Sequence, residues 1–374
     1  MERMYLIVGA GISGSTVAAI LSDRSDSQID IIDFRPHIAG NAYDRRTPDG
    51  IMEHVYGSHI FHTSNEEVWH FLNQFTGFND YRHRVLGMVE GKEVPTPFSF
   101  ESIRACFPKN TAEKMISKLL SNYKEGSRVP IMELIKEDDP VLRDLADYVY
   151  EHVFLHYTEK QWGKSPEEID SAVTARVPVY VGESCGYFRD KYQGVPSDGY
   201  TAMVERMLDS PKIHLSLNTT FESVKNPEKY DRIFYTGPVD ELLGYRFGPL
   251  PYRSESFEVE TLDREYFQDN AVVNYPDAEH AFTRIHEYKY YLGDKSDRTV
   301  IAREYPEPFE VGKNERYYPV PSPENEALHA RYVEEAKREY PNMRFLGRLG
   351  DYRYYDMDKA VARAMEVYRE EFER

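Results

Sequence analysis

Three glycines and an aspartate are the first residues in this chain whose spacing suits chemistry. Gly9, Gly11 and Gly14 form a G-x-G-x-x-G array directly behind the apolar run Met4–Val8, and Asp33 follows a second such run, Gln28–Ile32. Gly9 permits a tight turn, Gly11 lets backbone approach a pyrophosphate, and Gly14 lets a helix pack closely on the strand. That helix, opened by Ile12 and Ser13, turns free N–H groups and a partial positive charge toward the phosphates. Asp33 stands near the ~20-residue separation at which an acid meets a ribose hydroxyl. The combination predicts a bound dinucleotide. His59 and His62 are spaced for a metal, but no third ligand lies near and Ile60-Phe61 reads as strand, so no metal is expected. Trp162, one of two tryptophans, stands in the polar run Tyr157-Thr158-Glu159-Lys160-Gln161-Trp162-Gly163, a setting that suits a cleft wall.

The elements that must hold these residues follow from periodicity. After Asp33, Pro36 and Gly40 make residues 34–43 a loop. Residues 65–75 read as a helix with Asn65 as N-cap before two glutamates. Residues 111–120 and 140–150 are amphipathic and mark a helical insertion between about 100 and 160. From 177 to 320 short β-rich runs recur, at 213–217, 233–236, 271–275 and 298–303, around one helix at 200–208. The end of the chain returns to α/β: a helix at 324–340, a strand at 343–346, a Gly347-Arg348 turn and a helix from 357 to 372. The last strand and helix are expected to close the nucleotide domain begun at Met4.

At 374 residues the chain exceeds what one core holds, so two or three domains are expected. A formal charge of −18 excludes a general nucleic-acid or acidic-membrane binder. An anionic ligand must therefore be held by a local cluster of arginines. Cys106 and Cys185 give no disulfide framework, which fits a reducing, cytoplasmic setting. No apolar run approaches the ~18 residues of a membrane span, and the opening run, broken by Gly9 and Gly11, reads as a strand and not a targeting segment. Thirty tyrosines supply apolar bodies with polar tips, and a sugar or nucleotide cleft would use several.

Taken together, separated motifs resemble the bacterial UDP-galactopyranose mutase family of flavoenzymes. They are His37-Ile38-Ala39-Gly40-Asn41-Ala42-Tyr43, Gly57-Ser58-His59-Ile60-Phe61-His62-Thr63, Tyr157 to Gly163, Tyr192-Gln193-Gly194, Tyr235-Thr236-Gly237-Pro238, Tyr245-Arg246-Phe247-Gly248, and Gly347-Arg348 with Tyr354-Tyr355-Asp356-Met357. The resemblance implies an α/β fold: a discontinuous Rossmann-like FAD-binding domain (1–80, 200–245, 335–374), a helical bundle (98–165) and a six-stranded antiparallel sheet domain (81–97, 166–199, 246–334). It implies isomerisation of UDP-galactopyranose to UDP-galactofuranose, with N5 of reduced FAD as nucleophile at the anomeric carbon. An external reductant such as NAD(P)H or a reductase, and a homo-oligomer, a dimer, are implied as well.

By the same resemblance Arg176 and Arg253 bind the diphosphate, and Arg284 is a third arginine near flavin and substrate. Tyr157, Thr158, Trp162, Tyr187, Asn274, Tyr318 and Tyr354 line the substrate cleft, and Glu304 is an acid of the pattern. The FAD set is Gly9, Gly11, Ile12, Ser13, Gly14, Asp33, Phe34, Arg35, Gly40, Asn41, His59, Ile60, Arg348, Tyr355, Asp356 and Met357, with His59 also placed to tune the flavin. Three places depart from the pattern: Ala39 where Gly is usual, Ser58 where Pro or Ala is usual, and residues 181–186, usually aromatic with Asn or Asp. The last departure leaves base and sugar open between UDP-galactose and a related N-acetylated or deoxy nucleotide sugar. An FAD-dependent oxidoreductase and a non-catalytic binding protein on the same fold are the other readings.

Overall fold

The computed structural model describes residues 3–168, 178–183 and 186–373, so Arg176, Ser184 and Cys185 lie outside the described residues. The opening strand β1 (Met4–Val8) is the centre of a five-stranded parallel sheet. It is flanked by β2 (Gln28–Ile32) and strand Arg232–Tyr235, with Ile213–Ser216 and Met343–Phe345 at the edges. Three of these strands come from beyond residue 200, so both ends of the chain build one sheet. Buried on both faces, β1 reads as a continuous apolar run and not as an alternation.

Helix α1 (Ile12–Arg24) lies on this sheet and packs against helices Tyr200–Leu208 and Met357–Phe372. Its first half is made of small residues because nothing larger fits. A Cβ on Gly14 would stand 1.9 Å from the Gly9 carbonyl oxygen, and one on Gly9 (φ +107°) would stand 2.0 Å from Thr236 Oγ1. Thr236 in turn donates its hydroxyl to the Val8 carbonyl, 2.8 Å away.

The second sheet has seven strands, not the six expected. Their order is Tyr318–Pro319, Tyr252–Leu262, Thr299–Pro308, Arg284–Glu287, Val272–Asn274, Val85–Val89 and Lys92–Thr96. It is antiparallel except where Val272–Asn274 runs parallel to Val85–Val89. The excess over six lies at the edges: a hairpin supplied from far upstream joins one side, and a two-residue strand finishes the other. Neither leaves a clear mark in the residue pattern.

Helices Phe100–Cys106, Lys109–Asn122 and Pro140–Val149 close around their own core of Ile103, Met115, Leu119, Leu142 and Leu145. Asp139 caps the third of them, accepting from the Val141 amide at 2.9 Å. A π-helical turn, Tyr150–Leu155, then leads into helix His156–Trp162, which ends at Gly163 (φ +66°). The expected cleft wall is therefore one face of a helix. Helix Pro323–Glu339 carries the chain across position 334 and packs Tyr332 and Ala336 against the nucleotide sheet. Among the described residues no helix is long and apolar enough to cross a membrane.

Because a methyl at Gly14 meets backbone, neither partner can rotate away. Gly14→Ala is expected to lower stability by about 1–3 kcal/mol or more in denaturant unfolding and to reduce the dinucleotide retained through purification.

Candidate active site

Two half-sites face each other. The first is built at the tip of α1, which begins without a side-chain cap and without an acid in its first turn. The amides of Ile12, Ser13 and Gly14 therefore point outward with no intrahelical acceptor. Gly11 pairs with Ala39, and a Cβ on Gly11 would lie only 3.6 Å from Gly40 Cα. Asp33 accepts from the Ala10 amide (2.8 Å) and the Arg35 amide (2.9 Å). It thus fixes the turn, and each oxygen keeps lone-pair capacity for a ribose hydroxyl. Arg35 donates to Asn41 Oδ1 at 2.9 Å, pairs with Glu315 and lies over the Tyr56 ring, while Phe34 is exposed.

The C-terminal segment closes this half-site. A Cβ on Gly347 (φ +84°) would lie 3.4 Å from Ser13 Oγ. Arg348 donates to the carbonyls of Tyr317 (3.2 Å) and Tyr355 (3.1 Å), and Asp356 stands at the start of helix Met357–Phe372. A bare helix N-terminus inside a cradle that any Cβ would fill fits a dinucleotide. Beside it, His59 donates from Nδ1 to the Gly57 carbonyl at 2.8 Å, which leaves Nε2 as an acceptor. Burial, reinforced by His54, pushes its pKa down to about 3, so the ring is neutral. Ile60 is buried next to it.

The second half-site is the face of the seven-stranded sheet. Cross-strand register sets Phe257, Glu304, Arg284 and Asn274 in one row, hence on one face. Arg284 Nε stands 3.0 Å from Glu304 Oε1, and the other carboxylate oxygen lies 2.8 Å from His286 Nε2. Burial alone would raise Glu304, but Arg284 and His286 outweigh it and hold the carboxyl below its usual range. Burial lowers His286 despite Glu304. The neutral ring donates from Nε2 and accepts at Nδ1 from Ser58 Oγ, 2.6 Å away, and Ser58 also meets the Tyr291 hydroxyl. Asn274 Oδ1 is buried without a partner among the described residues.

Two residues before Phe257, on the same face, Glu255 Oε1 accepts from the Tyr318 hydroxyl (3.0 Å) and Gln161 Nε2 (3.3 Å). Burial, then the charge of Glu304, pushes the Glu255 carboxyl up to about 7. Helix His156–Trp162 roofs this row. Lys160 Nζ donates to the carbonyls of Tyr275 (2.5 Å), His280 (3.1 Å) and Phe282 (3.1 Å). Buried Arg253 donates to the helix's last carbonyls, Gln161 (2.9 Å) and Lys160 (3.2 Å). Trp162, Tyr318 and Tyr354 form an aromatic triangle with ring centres 5.1–6.2 Å apart. Arg348 lies 5.8 Å from the Tyr354 ring centre and so joins the half-sites.

A UDP-galactopyranose mutase family model matches residues 152–354, and one for NAD(P)-binding Rossmann-like domains matches residues 7–75. A probable UDP-galactopyranose mutase of Klebsiella pneumoniae is 38 % identical over 98 % of this chain and 94 % of its own length. The chain belongs to the UDP-galactopyranose mutase family. It is accordingly a mutase, an isomerase. A dTDP-fucopyranose mutase of Escherichia coli is 33 % identical over 96 % of both chains. A crystal structure of reduced UDP-galactopyranose mutase, 16 % identical, shares the fold with a TM-score of 0.72 over 100 % of this chain and 94 % of that one.

Set against the residues that the family resemblance marks, the structure gathers Tyr157, Trp162, Arg253, Asn274, Arg284, Glu304, Tyr318 and Tyr354 around one cleft, with Thr158 buried in the roof helix. Tyr157 lies under Arg284, 5.9 Å from guanidinium carbon to ring centre. Tyr187 is near enough to Tyr157 and Arg284 to interact with both; its amide donates to the His83 carbonyl at 2.9 Å, and Arg82, Arg84 and Arg189 line a hollow of about 830 Å³ beside it. Arg176 cannot be placed, lying outside the described residues. His62 turns to Asp190, 2.8 Å away, and among the described residues no three His, Cys, Asp or Glu side chains gather as metal ligands. Glu255, Gln161, Lys160, His286 and Tyr291 were not expected in the site. Of these, only Gln161 and Lys160 fall in a quoted motif.

Among the described residues Glu304 is the one acid in ion-pair contact with Arg284. Removing one partner of a fully buried pair costs about 3–5 kcal/mol, and the loss here should be smaller because Arg284 keeps 28 % of its side chain exposed. Glu304→Gln is therefore expected to destabilise by about 2–3 kcal/mol in urea unfolding at neutral pH. Since Glu304 is depressed in the folded protein, its contribution is present above the ordinary glutamate range and lost as pH falls through the folded value. The gap between variant and wild type should close in acid.

Proposed function

We propose that this mutase interconverts UDP-galactopyranose and UDP-galactofuranose, with FAD in the dinucleotide cradle. The observation that carries the reading is the meeting of the two half-sites at Arg348 and Tyr354, which sets arginines and an aromatic cluster opposite a dinucleotide site. When bound in its reduced form, FAD would supply the nucleophile at the anomeric carbon, the difficult chemistry that a protein alone lacks.

The chain's own residues bind, orient and shield. Departure of the nucleotide develops charge on its diphosphate, and fixed guanidinium groups stabilise that charge and keep the UDP in place. Arg284 is held from behind by Glu304 and so presents its remaining donors to the cleft. Arg253 spends Nε and Nη2 on helix carbonyls, which leaves Nη1 for a phosphate oxygen, and Arg176 is proposed as its companion. Trp162, Tyr318 and Tyr354 supply flat apolar faces with polar edges for base or sugar. The roof helix, pinned by Lys160, covers the row below and limits hydrolysis of reactive species. Neutral His59 offers the cofactor an acceptor, Nε2. An external reductant such as NAD(P)H and a dimeric assembly complete the proposal.

A second reading is supported by the dTDP-fucopyranose mutase relative: the same chemistry on a deoxy sugar carried by dTDP. Incubating dithionite-reduced enzyme with UDP-galactofuranose and, in parallel, with dTDP-fucofuranose separates the two by chromatography. Product in the first arm, with many turnovers per reduction and little in oxidised enzyme, is the expected outcome. Equal rates in both redox states would exclude a reduced flavin. Arg253→Ala should lower kcat/KM by roughly a hundredfold or more while the protein stays yellow, and near-normal turnover would remove Arg253 from the diphosphate site.

A further inference from the structure

Among the polar groups of the cleft, Glu255 has no role in the reading above. It lies on strand Tyr252–Leu262 between Arg253 and Phe257, on the face that carries both. Its carboxyl is enclosed, yet the residue keeps some exposure toward the cleft. Oε1 takes the Tyr318 hydroxyl and the Gln161 amide. Oε2 makes no hydrogen bond among the described residues, and the residue is only partly buried, so this oxygen is left open to a ligand beside Tyr318 and Gln161. The charged and titratable groups around it are Glu304, Arg284, Arg253, Tyr157, Tyr317 and Tyr318.

Two carboxyls in one enclosed space do not both ionise cheaply. Their surroundings decide which one keeps its proton. Glu304 has Arg284 at 3.0 Å, the His286 N–H at 2.8 Å and the Thr283 hydroxyl at 3.3 Å. Glu255 has two neutral donors, both on Oε1, and among the described residues no cation within ion-pair distance. Glu304 therefore carries the negative charge, and Glu255 is the one that keeps its proton up to about pH 7. With Oε1 already accepting twice, that proton sits on Oε2, the oxygen turned to the cleft.

We propose that Glu255 is a ligand for the sugar of the bound nucleotide sugar, presenting a neutral carboxyl O–H to one of the sugar's oxygens. No proton is transferred in this role; the acid donates a hydrogen bond and withdraws it on ionising. The proposal rests on the nucleotide-sugar reading and deepens it, because it makes sugar affinity depend on one protonation. An ionised Glu255 would offer only lone pairs and would add a charge beside a diphosphate.

The test is the affinity of oxidised holoenzyme for UDP-galactose or, if that is the sugar turned over, the dTDP sugar, measured by titration calorimetry on both sides of neutrality. Wild type should bind more weakly as pH rises through about 7, approaching tenfold per pH unit. Glu255→Gln, whose amide can still donate, should bind like wild type below neutrality and lose the fall above it. Glu255→Leu should bind about tenfold more weakly at every pH. Infrared difference spectra should show a protonated carboxyl band in the free holoenzyme that Glu255→Gln removes. That band reads the proton without substrate, so failure of both sugars to bind would count against the functional reading, and absence of the band would count against Glu255. A Glu255→Gln profile that keeps the wild-type fall, or a Glu255→Leu variant as tight as wild type, overturns the proposal.

Discussion

The cleft depends on a single buried carboxylate staying ionised. Glu304 sits in the sheet between Arg284 and His286, and a carboxylate removed from water is tolerated only with a partner in good geometry and its remaining lone pairs satisfied. Both conditions are met from the neighbouring strand, because Arg284 lies directly across the register and His286 lies two residues along it on the same face. The consequences spread outward from that charge. Arg284 is held beside it, the Nε2 proton of His286 is committed to it, and its charge adds to the burial that pushes Glu255 toward its acid form. One ion pair therefore bears on two neighbours, the His286 tautomer and the Glu255 carboxyl.

The roof is held by a second kind of electrostatics. A helix ends with carbonyls that lack partners and with a partial negative charge, which a cation can satisfy. Helix His156–Trp162 receives Arg253 at that end, from the sheet below. Its own Lys160 reaches the other way, to three carbonyls of the sheet's Tyr275–Phe282 turn. Burial lowers the Lys160 pKa to about 8, which is the desolvation cost of using an ammonium as a clamp in place of an exposed ion pair. Arg253 thus fixes the helix that carries Trp162 with two of its guanidinium nitrogens, Nε and Nη2.

How much of this was legible in the residues differs between the halves. The nucleotide half was legible because its marks are compact: Gly9, Gly11 and Gly14 stand in one short array, even though Gly9 meets Thr236 and Gly11 meets Gly40 from far along the chain, and helices 200–208 and 357–372 show their periodicity directly. The sheet half was not, because its information is cross-strand. Ser254-Glu255-Ser256-Phe257-Glu258 reads as a polar, exposed strand, and only pairing with Pro306 and Glu304 turns Glu255 inward. Glu304 and Arg284 are distant in the chain and meet only through register, so family resemblance could name them while spacing could not show their bond. The seventh strand was hidden for a related reason, since a two-residue edge carries no period. Asp33 was read for a ribose, and the structure adds that both its oxygens also serve backbone amides, a duty invisible without the turn itself.

The two halves communicate most directly where the chain departs from the family pattern. Ser58 stands where Pro or Ala is usual, next to His59 of the cofactor half, yet its hydroxyl reaches His286 Nδ1 and Tyr291 of the sheet half. Neither Pro nor Ala offers a side-chain donor there. Without one, His286 Nδ1 would be a buried acceptor left unpaired, a group that costs roughly 1–3 kcal/mol, or the ring would flip and withdraw its donation to Glu304. Ser58 therefore stabilises the tautomer on which the Glu304 charge depends, from a loop whose next residue faces the dinucleotide cradle.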